Sequence, residues 1–323
     1  MVERYEDLQK FLKATTMLEQ PLEKLIKEHR PNCLVADIFF PWTTDVAARF
    51  EIPRLIFHGT NFISLSVSQY LMKMDLTELS DSKPLVIPNL PHEFKIPGNQ
   101  IPDFMNQESY VDHYRNVLGI KAWHIGPTFL CHKEIEDKAQ RGLTSSIDGL
   151  ECQKWLDSKK PNSVIYVSFR SVVKKDENND HESDKDWLPE GFEKRVESRG
   201  LVIRGWAPQV QILEHVAVGG FVTHCGWNST LEAVSAGVPM ATWPAFADQF
   251  HNEKLVTQIL GIGVGIGVSN WARFGGEKVM SEAIEKVVKH IMVGEEAEEM
   301  RSRAKKLGEV ARKGVVEGGS SYC

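Results

Sequence analysis

Between residues 201 and 260, short apolar runs alternate with segments of helical spacing. Glycine, proline or a small polar residue marks each junction, and this alternation limits the possible folds more than any other feature of the chain. Strands are expected at Leu201–Arg204, Gly220–Thr223 and Met240–Trp243, with helices at Val210–Leu213, Ser229–Ala236 and Gln249–Leu260. Ser163–Phe169 reads as another buried strand, and residues 280–315, rich in Glu, Lys and Arg, read as helices. Strands alternating with helices imply α/β architecture, here an open doubly wound sheet. Such sheets bind ligands beyond the carboxyl ends of their strands.

The first half carries a weaker version of the same signal. Residues 7–28 place Leu8, Phe11, Leu12, Leu18, Leu22, Leu25 and Ile26 at helical spacing, and Pro31 closes that helix. Asn32–Asp37 reads as a buried strand ending on a carboxylate, residues 41–50 as a crossover helix and Pro53–His58 as the next strand, which implies right-handed parallel pairing. Residues 80–104, rich in proline and asparagine, read as loop, Lys133–Ser146 as a linker, Glu151–Leu156 as the start of a helix, and the charge run at 174–186 as a solvated loop. A chain of 323 residues exceeds what one core usually serves, so two domains are expected, 1–145 and 146–323. A net charge of −6 argues against a nucleic-acid surface. Five scattered cysteines with no CxxC pair argue against a disulfide framework or a zinc site. The polar amino terminus does not read as a signal peptide, and no apolar run reaches the ~18 residues of a membrane span, so a cytoplasmic protein is expected.

Residues 206–249 concentrate the chemistry. His224-Cys225-Gly226-Trp227-Asn228-Ser229 follows an apolar strand and opens a helix, where Gly226 permits a tight turn and Asn228 or Ser229 can cap. A helix amino terminus presents unpaired N–H groups and a positive dipole end, which suits a phosphate, and His224 adds a donor beside it. Glu232, one turn along, can accept from a ribose diol. Trp206 offers an indole on which a flat base can stack, and Asp248 with Gln249 offers paired acceptors and donors for sugar hydroxyls. Singly, each has a plainer reading: Trp206 as core, His224 as a satisfied structural histidine, Glu232 as a surface helix residue, Asp248 as a helix cap. Their joint position at successive strand ends favours a ligand site.

WAPQ, HCGWNS, the following glutamate and DQ stand at the spacing of a known signature. The segment Trp206–Gln249 resembles the signature box of plant secondary-product UDP-glycosyltransferases, glycosyltransferase family 1 enzymes of GT-B fold with two Rossmann-like domains. RPNCLVADIFFPWTTD, PRLIFHGT, KAWHIGP and DWLPEGFEKR extend the likeness along nearly the whole chain, toward the subgroup that glucosylates flavonoids, coumarins and terpenoids. The resemblance implies that Trp206 stacks on uracil with the Ala207 backbone at its edge, and that Gln209 and Glu232 hold the ribose. It implies that His224, Asn228 and Ser229 contact the diphosphate next to Gly226, that Trp227 shapes the pocket, and that Asp248 and Gln249 bind glucose. UDP-glucose would be the donor and a small hydroxylated metabolite the acceptor, in a metal-free inverting transfer by a monomer. Asp37 would be the carboxylate that orients the general-base histidine.

The chain also departs from that pattern. No histidine matches the family base, and His58, at a strand end, matches none either. Arg170 stands where a glycine is usual, and segments after Phe104 and after Ser171 are shorter than expected. Together with the ending at Cys323, these departures imply an incomplete amino-terminal domain, marginal stability and, as an alternative function, an inactive truncated remnant that at most binds UDP-sugar. A nicotinamide-binding reading of Gly261–Gly267 requires a strand before the glycines and a helix after them. A glycine-rich strand is the expected alternative.

Overall fold

The computed structural model describes residues 10–71, 84–87, 94–96, 126–131, 147, 149–169, 188–269, 278–319 and 321–322. Their contacts divide between Thr60 and Asn61 into two compact units. In the first, a 3-10 turn at Thr16–Leu18 leads into α1 (Glu19–His29), followed by β1 (Leu34–Asp37), α2 (Thr43–Arg49) and β2 (Arg54–Phe57). The two strands pair in parallel with Asp37 opposite Phe57, so the expected strand-helix-strand unit is present. Asp37 ends β1, and its Oδ1 accepts the Phe39 N–H at 2.9 Å. Arg54 donates to the carbonyls of Asp37 (3.3 Å) and Phe40 (3.2 Å), which fixes the turn that carries the chain out of the strand.

The second unit begins with α3 (Phe62–Leu71) and an antiparallel pair, β3 (Leu85–Ile87) and β4 (Phe94–Ile96). This corrects the reading of residues 80–104 as loop. Ile87 and Ile96 are buried in one cluster with Val67 and Leu71 of α3, so apolar burial holds two strands too short to persist alone. The principal sheet follows. Its strands are β5 (Val164–Ser168), β6 (Val218–Thr223), β7 (Met240–Thr242) and β8 (Gly263–Gly265), hydrogen-bonded in that order and all parallel. The helices are α4 (Gly149–Asp157), α5 (Phe192–Val196), α6 (Gln209–Glu214), α7 (Trp227–Ala236), α8 (Gln249–Lys254), α9 (Ser281–Met292) and α10 (Glu295–Gly314).

β6 is buried at every position because both faces of the sheet are covered. Phe221 packs in one cluster with Leu213, Met240, Val256 and Ile262, while its neighbour Val222 packs in another with Ala241, Val287 and Ile291. Gly220 lets α9 lie directly on the strand, since a Cβ there would sit 2.9 Å from Ile291 Cδ1.

Three expectations need adjustment. Leu201–Arg204 joins no ladder among the described residues. Leu201 and Ile203 instead pack on the core as an extended segment, so the apolar alternation there reports burial without pairing. Trp243 falls just outside β7. α8 ends at Lys254 and passes into a π-helical turn at Leu255–Ile259, so the single helix expected to Leu260 is two pieces. The glycine run around Gly263 forms β8 and opens no helix through Ser269, so it lacks the context of a dinucleotide fingerprint. The linker with its boundary at 145, the charge run at 174–186, Arg170 and the stretch from Phe104 to His113 lie outside the described residues. Among the described residues, Cys33, Cys152 and Cys225 are free thiols, and no helix is long and apolar enough to cross a membrane.

Candidate functional site

At the carboxyl end of β6 the chain turns sharply into α7. His224 is buried, Cys225 is fully buried with φ 62°, and Gly226 is the residue before the helix. A non-glycine residue in the left-handed region costs roughly 1–2 kcal/mol. The turn holds it with the Cys225 N–H donated to Thr223 Oγ1 at 3.2 Å and the Asn252 amide donated to the Cys225 carbonyl at 2.8 Å. Burial drives the Cys225 thiol pKa well above its usual value, so the sulfur is not a nucleophile here.

Asn228 and Ser229 do not cap α7, which corrects that expectation. The cap position is Gly226, no side chain bonds there, and Trp227, Asn228 and Ser229 form the first turn. Their backbone N–H groups have no intrahelical acceptor, so the sequence places an uncapped dipole end at the strand rim. The His224 ring closes over Gly226 so tightly that a Cβ at 226 would lie 2.6 Å from Nε2. Trp227 is half-buried and Asn228 exposed.

Three expected residues meet in one hydrogen-bond cluster. Gln209, at the start of α6, donates from Nε2 to Glu232 Oε2 at 2.6 Å and to Ser229 Oγ at 3.1 Å. Tyr166 of β5, which sequence reasoning missed, donates to Gln209 Oε1 at 3.4 Å. Burial pushes the Tyr166 phenol up to about 12, so it is a neutral donor at any ordinary pH. Trp206 and Ala207 are half-buried and immediately precede this cluster in sequence.

Asp248 and Gln249 sit beyond β7. Asp248 occupies the cap position of α8 but makes no capping bond, and its Oδ2 accepts from Asn252 Nδ2 at 3.2 Å. Gln249 is buried, and its Oε1 accepts the N–H groups of Ala245 (2.8 Å) and Phe246 (3.1 Å). Two backbone donors fix the oxygen end of that amide, so its NH2 is the end able to donate to a sugar hydroxyl. Ala247, at φ 57°, is a second left-handed residue on this rim. Asn252, also missed, was legible in principle because it stands four residues after Asp248 on one helix face. Asp37 and His58 belong to the other unit, at the ends of β1 and β2.

α8 carries three ionisable groups away from water: His251 and Lys254 are buried and Glu253 is half-buried. Burial pushes the Glu253 carboxyl up to about 7, with Thr242 Oγ1 donating to its Oε1 at 2.9 Å. Burial, reinforced by Lys254, holds His251 down at about 4. The two act oppositely on stability. Glu253 contributes stability below its unfolded value near 4.5, and that contribution disappears as pH rises through 7. His251 contributes stability above 6.5, lost as pH falls through 4. Glu253→Gln keeps the acceptor for Thr242 and removes only the first effect. Its stability relative to the parent chain is therefore expected to rise by about 3 kcal/mol between pH 4.5 and 7.5, measured by urea denaturation. A difference independent of pH contradicts this assignment.

A parallel α/β sheet with an uncapped helix end, a buried histidine and a Gln-Ser-Glu cluster near one strand end is an arrangement that suits a nucleotide ligand. Residues 189–305 match the family model for UDP-glucoronosyl and UDP-glucosyl transferase. The scopoletin glucosyltransferase of Nicotiana tabacum is 49% identical over 371 aligned positions, spanning 98% of this chain and 78% of that protein. The UDP-glucose flavonoid 3-O-glucosyltransferase 7 of Fragaria ananassa is 50% identical over 378 positions, spanning 98% and 77%. The crystal structure of Glycyrrhiza uralensis UGT73P12 complexed with glycyrrhetinic acid 3-O-monoglucuronide is similar with a TM-score of 0.82 at 34% identity, covering 97% of this chain and 76% of that one. Medicago truncatula UGT71G1 complexed with UDP-glucose gives 0.76 at 27%, covering 96% and 77%. The chain belongs to this transferase family and has the α/β fold of the GT-B class. Both sequence alignments run over more positions than the 323 residues of this chain, so those relatives carry segments within the aligned span that it lacks.

Proposed function

We propose that this protein transfers glucose from UDP-glucose, with inversion, to a hydroxyl of a small plant metabolite of the coumarin, flavonoid or terpenoid kind, acting as a cytoplasmic monomer without a resident metal. The observation that carries the reading is the Gln209–Ser229–Glu232 cluster beside the uncapped start of α7. Glu232 then serves the ribose diol, and its bond from Gln209 orients it. The first-turn N–H groups of α7, with Gly226 and His224, receive the diphosphate, while Asn228 and Ser229 add side-chain contacts. Negative charge grows on the diphosphate as the anomeric bond breaks, and a fixed dipole end with a buried imidazole beside it stabilises that charge without reorganising. Trp206 stacks on uracil, with the Ala207 backbone at its edge and Trp227 walling the pocket. Asp248 and the NH2 of Gln249 take glucose hydroxyls. Asp37 stands in the place of the carboxylate that orients the family's general-base histidine, to which no histidine of this chain corresponds. The names of the relatives, which act on scopoletin and flavonoids, support the acceptor class.

A second reading, donor binding without transfer, is favoured by the segments within the aligned span that this chain lacks. One experiment separates the two. The purified chain is titrated with UDP by calorimetry, then incubated with UDP-glucose and a panel of hydroxycoumarins and flavonols, with products read by mass spectrometry. Binding with glucoside formation supports transfer. Binding without product leaves the second reading. No heat of UDP association removes both.

A further inference from the structure

Asn252 is completely buried and is wired to both halves of the rim. Its Nδ2 donates to the Cys225 carbonyl at 2.8 Å and to Asp248 Oδ2 at 3.2 Å, and its Oδ1 accepts from Asn61 Nδ2. A carbonyl and a carboxylate can only accept, so the amide has a single workable orientation. Asn61 is fixed in the same way. Its Oδ1 accepts the Ser64 N–H at 2.7 Å, in the first turn of α3, and this turns its NH2 toward Asn252. The result is a directional chain: Ser64 N–H to Asn61, Asn61 to Asn252, and Asn252 to the turn and the carboxylate.

The trans peptide between Cys225 and Gly226 gives this chain its consequence. In a planar trans peptide the C=O and the following N–H point in opposite directions. By drawing the Cys225 oxygen toward itself, Asn252 aims the Gly226 N–H away from α8. The same amide holds Oδ2 of Asp248. One buried side chain thus sets the direction of a diphosphate donor and of a sugar-reading carboxylate together, and Asn61 sets that side chain.

We propose that Asn252 is the positioning residue that couples the diphosphate turn to Asp248, and that Asn61, through Asn252, tunes donor affinity without touching the donor. This rests on the donor-binding reading given above. The informative substitution is Asn61→Asp. It keeps the acceptor for Ser64 and so the cap of α3, but it replaces the NH2 that faces Asn252 Oδ1 with oxygen. Asn252 must then flip or lose its partner, and its own oxygen would meet the Cys225 carbonyl and Asp248.

The test is calorimetric titration of UDP and UDP-glucose into the parent chain, Asn61→Asp, Asn252→Asp and the double variant, with a thermal melt of each. Asn61→Asp is expected to weaken both ligands about tenfold and, because it sets a carboxylate in a buried site, to lower the melt while leaving a folded chain; Asn252→Asp is expected to weaken them by at least as much. The double variant is expected to be no weaker than Asn252→Asp alone, because both act through one chain. Tight binding by a folded Asn61→Asp overturns the proposal, as do additive losses in the double variant. Should Asn252→Asp fail to fold, Asn61→Asp alone decides, since it leaves the turn residues intact. A parent chain that binds UDP while Asn61→Asp binds it equally well sinks this inference alone. A parent chain that binds no UDP sinks the donor-binding reading and this inference with it.

Discussion

Phe221→Ala is expected to lower the unfolding free energy by about 3–5 kcal/mol, the usual cost of emptying a buried aromatic site. Phe221 is fully buried at the centre of β6, paired in register with Tyr166 on one side and Met240 on the other. Its ring stacks on Tyr166 at 5.1 Å and 17°. The site cannot collapse easily, because β6 is held on both sides by a hydrogen-bonded parallel ladder. Domains are stable by only ~5–15 kcal/mol, so such a loss takes a large share of the total. Urea denaturation followed by tryptophan fluorescence measures it, and a loss below about 1 kcal/mol contradicts the packing described. Tyr166 also reaches Gln209, so the residual folded fraction of Phe221→Ala is expected to bind UDP more weakly as well. Phe221→Leu keeps most of the volume and is expected to cost roughly a third as much.

How much of this could be read from the residues depends on where the information resides. The strand expected at Gly220–Thr223 is present, and β6 ends at Thr223 as expected but starts two residues earlier, at Val218, with every position buried. The helix expected at Ser229–Ala236 also ends where expected but starts two residues earlier, at Trp227. By contrast, α3 was missed because FISLSVSQYL is apolar and serine-rich with no clear helical period, and its place is set by packing on Ile87 and Ile96. Leu201–Arg204 misled for the converse reason. A strand needs a neighbour with matching free backbone groups, and apolar alternation says nothing about whether one is present.

The candidate site divides along the same line. Glu232 was legible from its place one turn into the helix and Ser229 only as a possible cap, whereas Gln209 was implied by the family resemblance; the three do meet. Tyr166 joins them only through the register of β5 on β6, which no local pattern encodes. The left-handed Cys225 and Ala247 were also hidden, since neither residue type favours that conformation; Cys225 is held there in part by Asn252, 27 positions away in the chain.

Gly226→Ala is expected to cost about 10- to 100-fold in UDP affinity while leaving the fold intact. The reason is not conformational freedom. Gly226 has φ −57° and ψ 141°, which alanine adopts without strain. The obstacle is the His224 ring, whose Nε2 would lie 2.6 Å from the new methyl group, well inside van der Waals contact. Either the imidazole rotates away or the turn shifts, and both displace a donor from the diphosphate. Losing one hydrogen bond to a charged group costs about 1.5–3 kcal/mol, which gives the stated range. The turn lies at the rim of the sheet, away from the packed faces of β6, so the thermal midpoint is expected to move by no more than a few degrees. His224→Ala supplies the internal check. If the methyl group acts through the ring, Gly226→Ala adds little further loss once His224 is alanine. Calorimetric titration of the three variants decides the matter, and a Gly226→Ala protein that binds UDP within twofold of the parent would show that the imidazole does not serve the diphosphate.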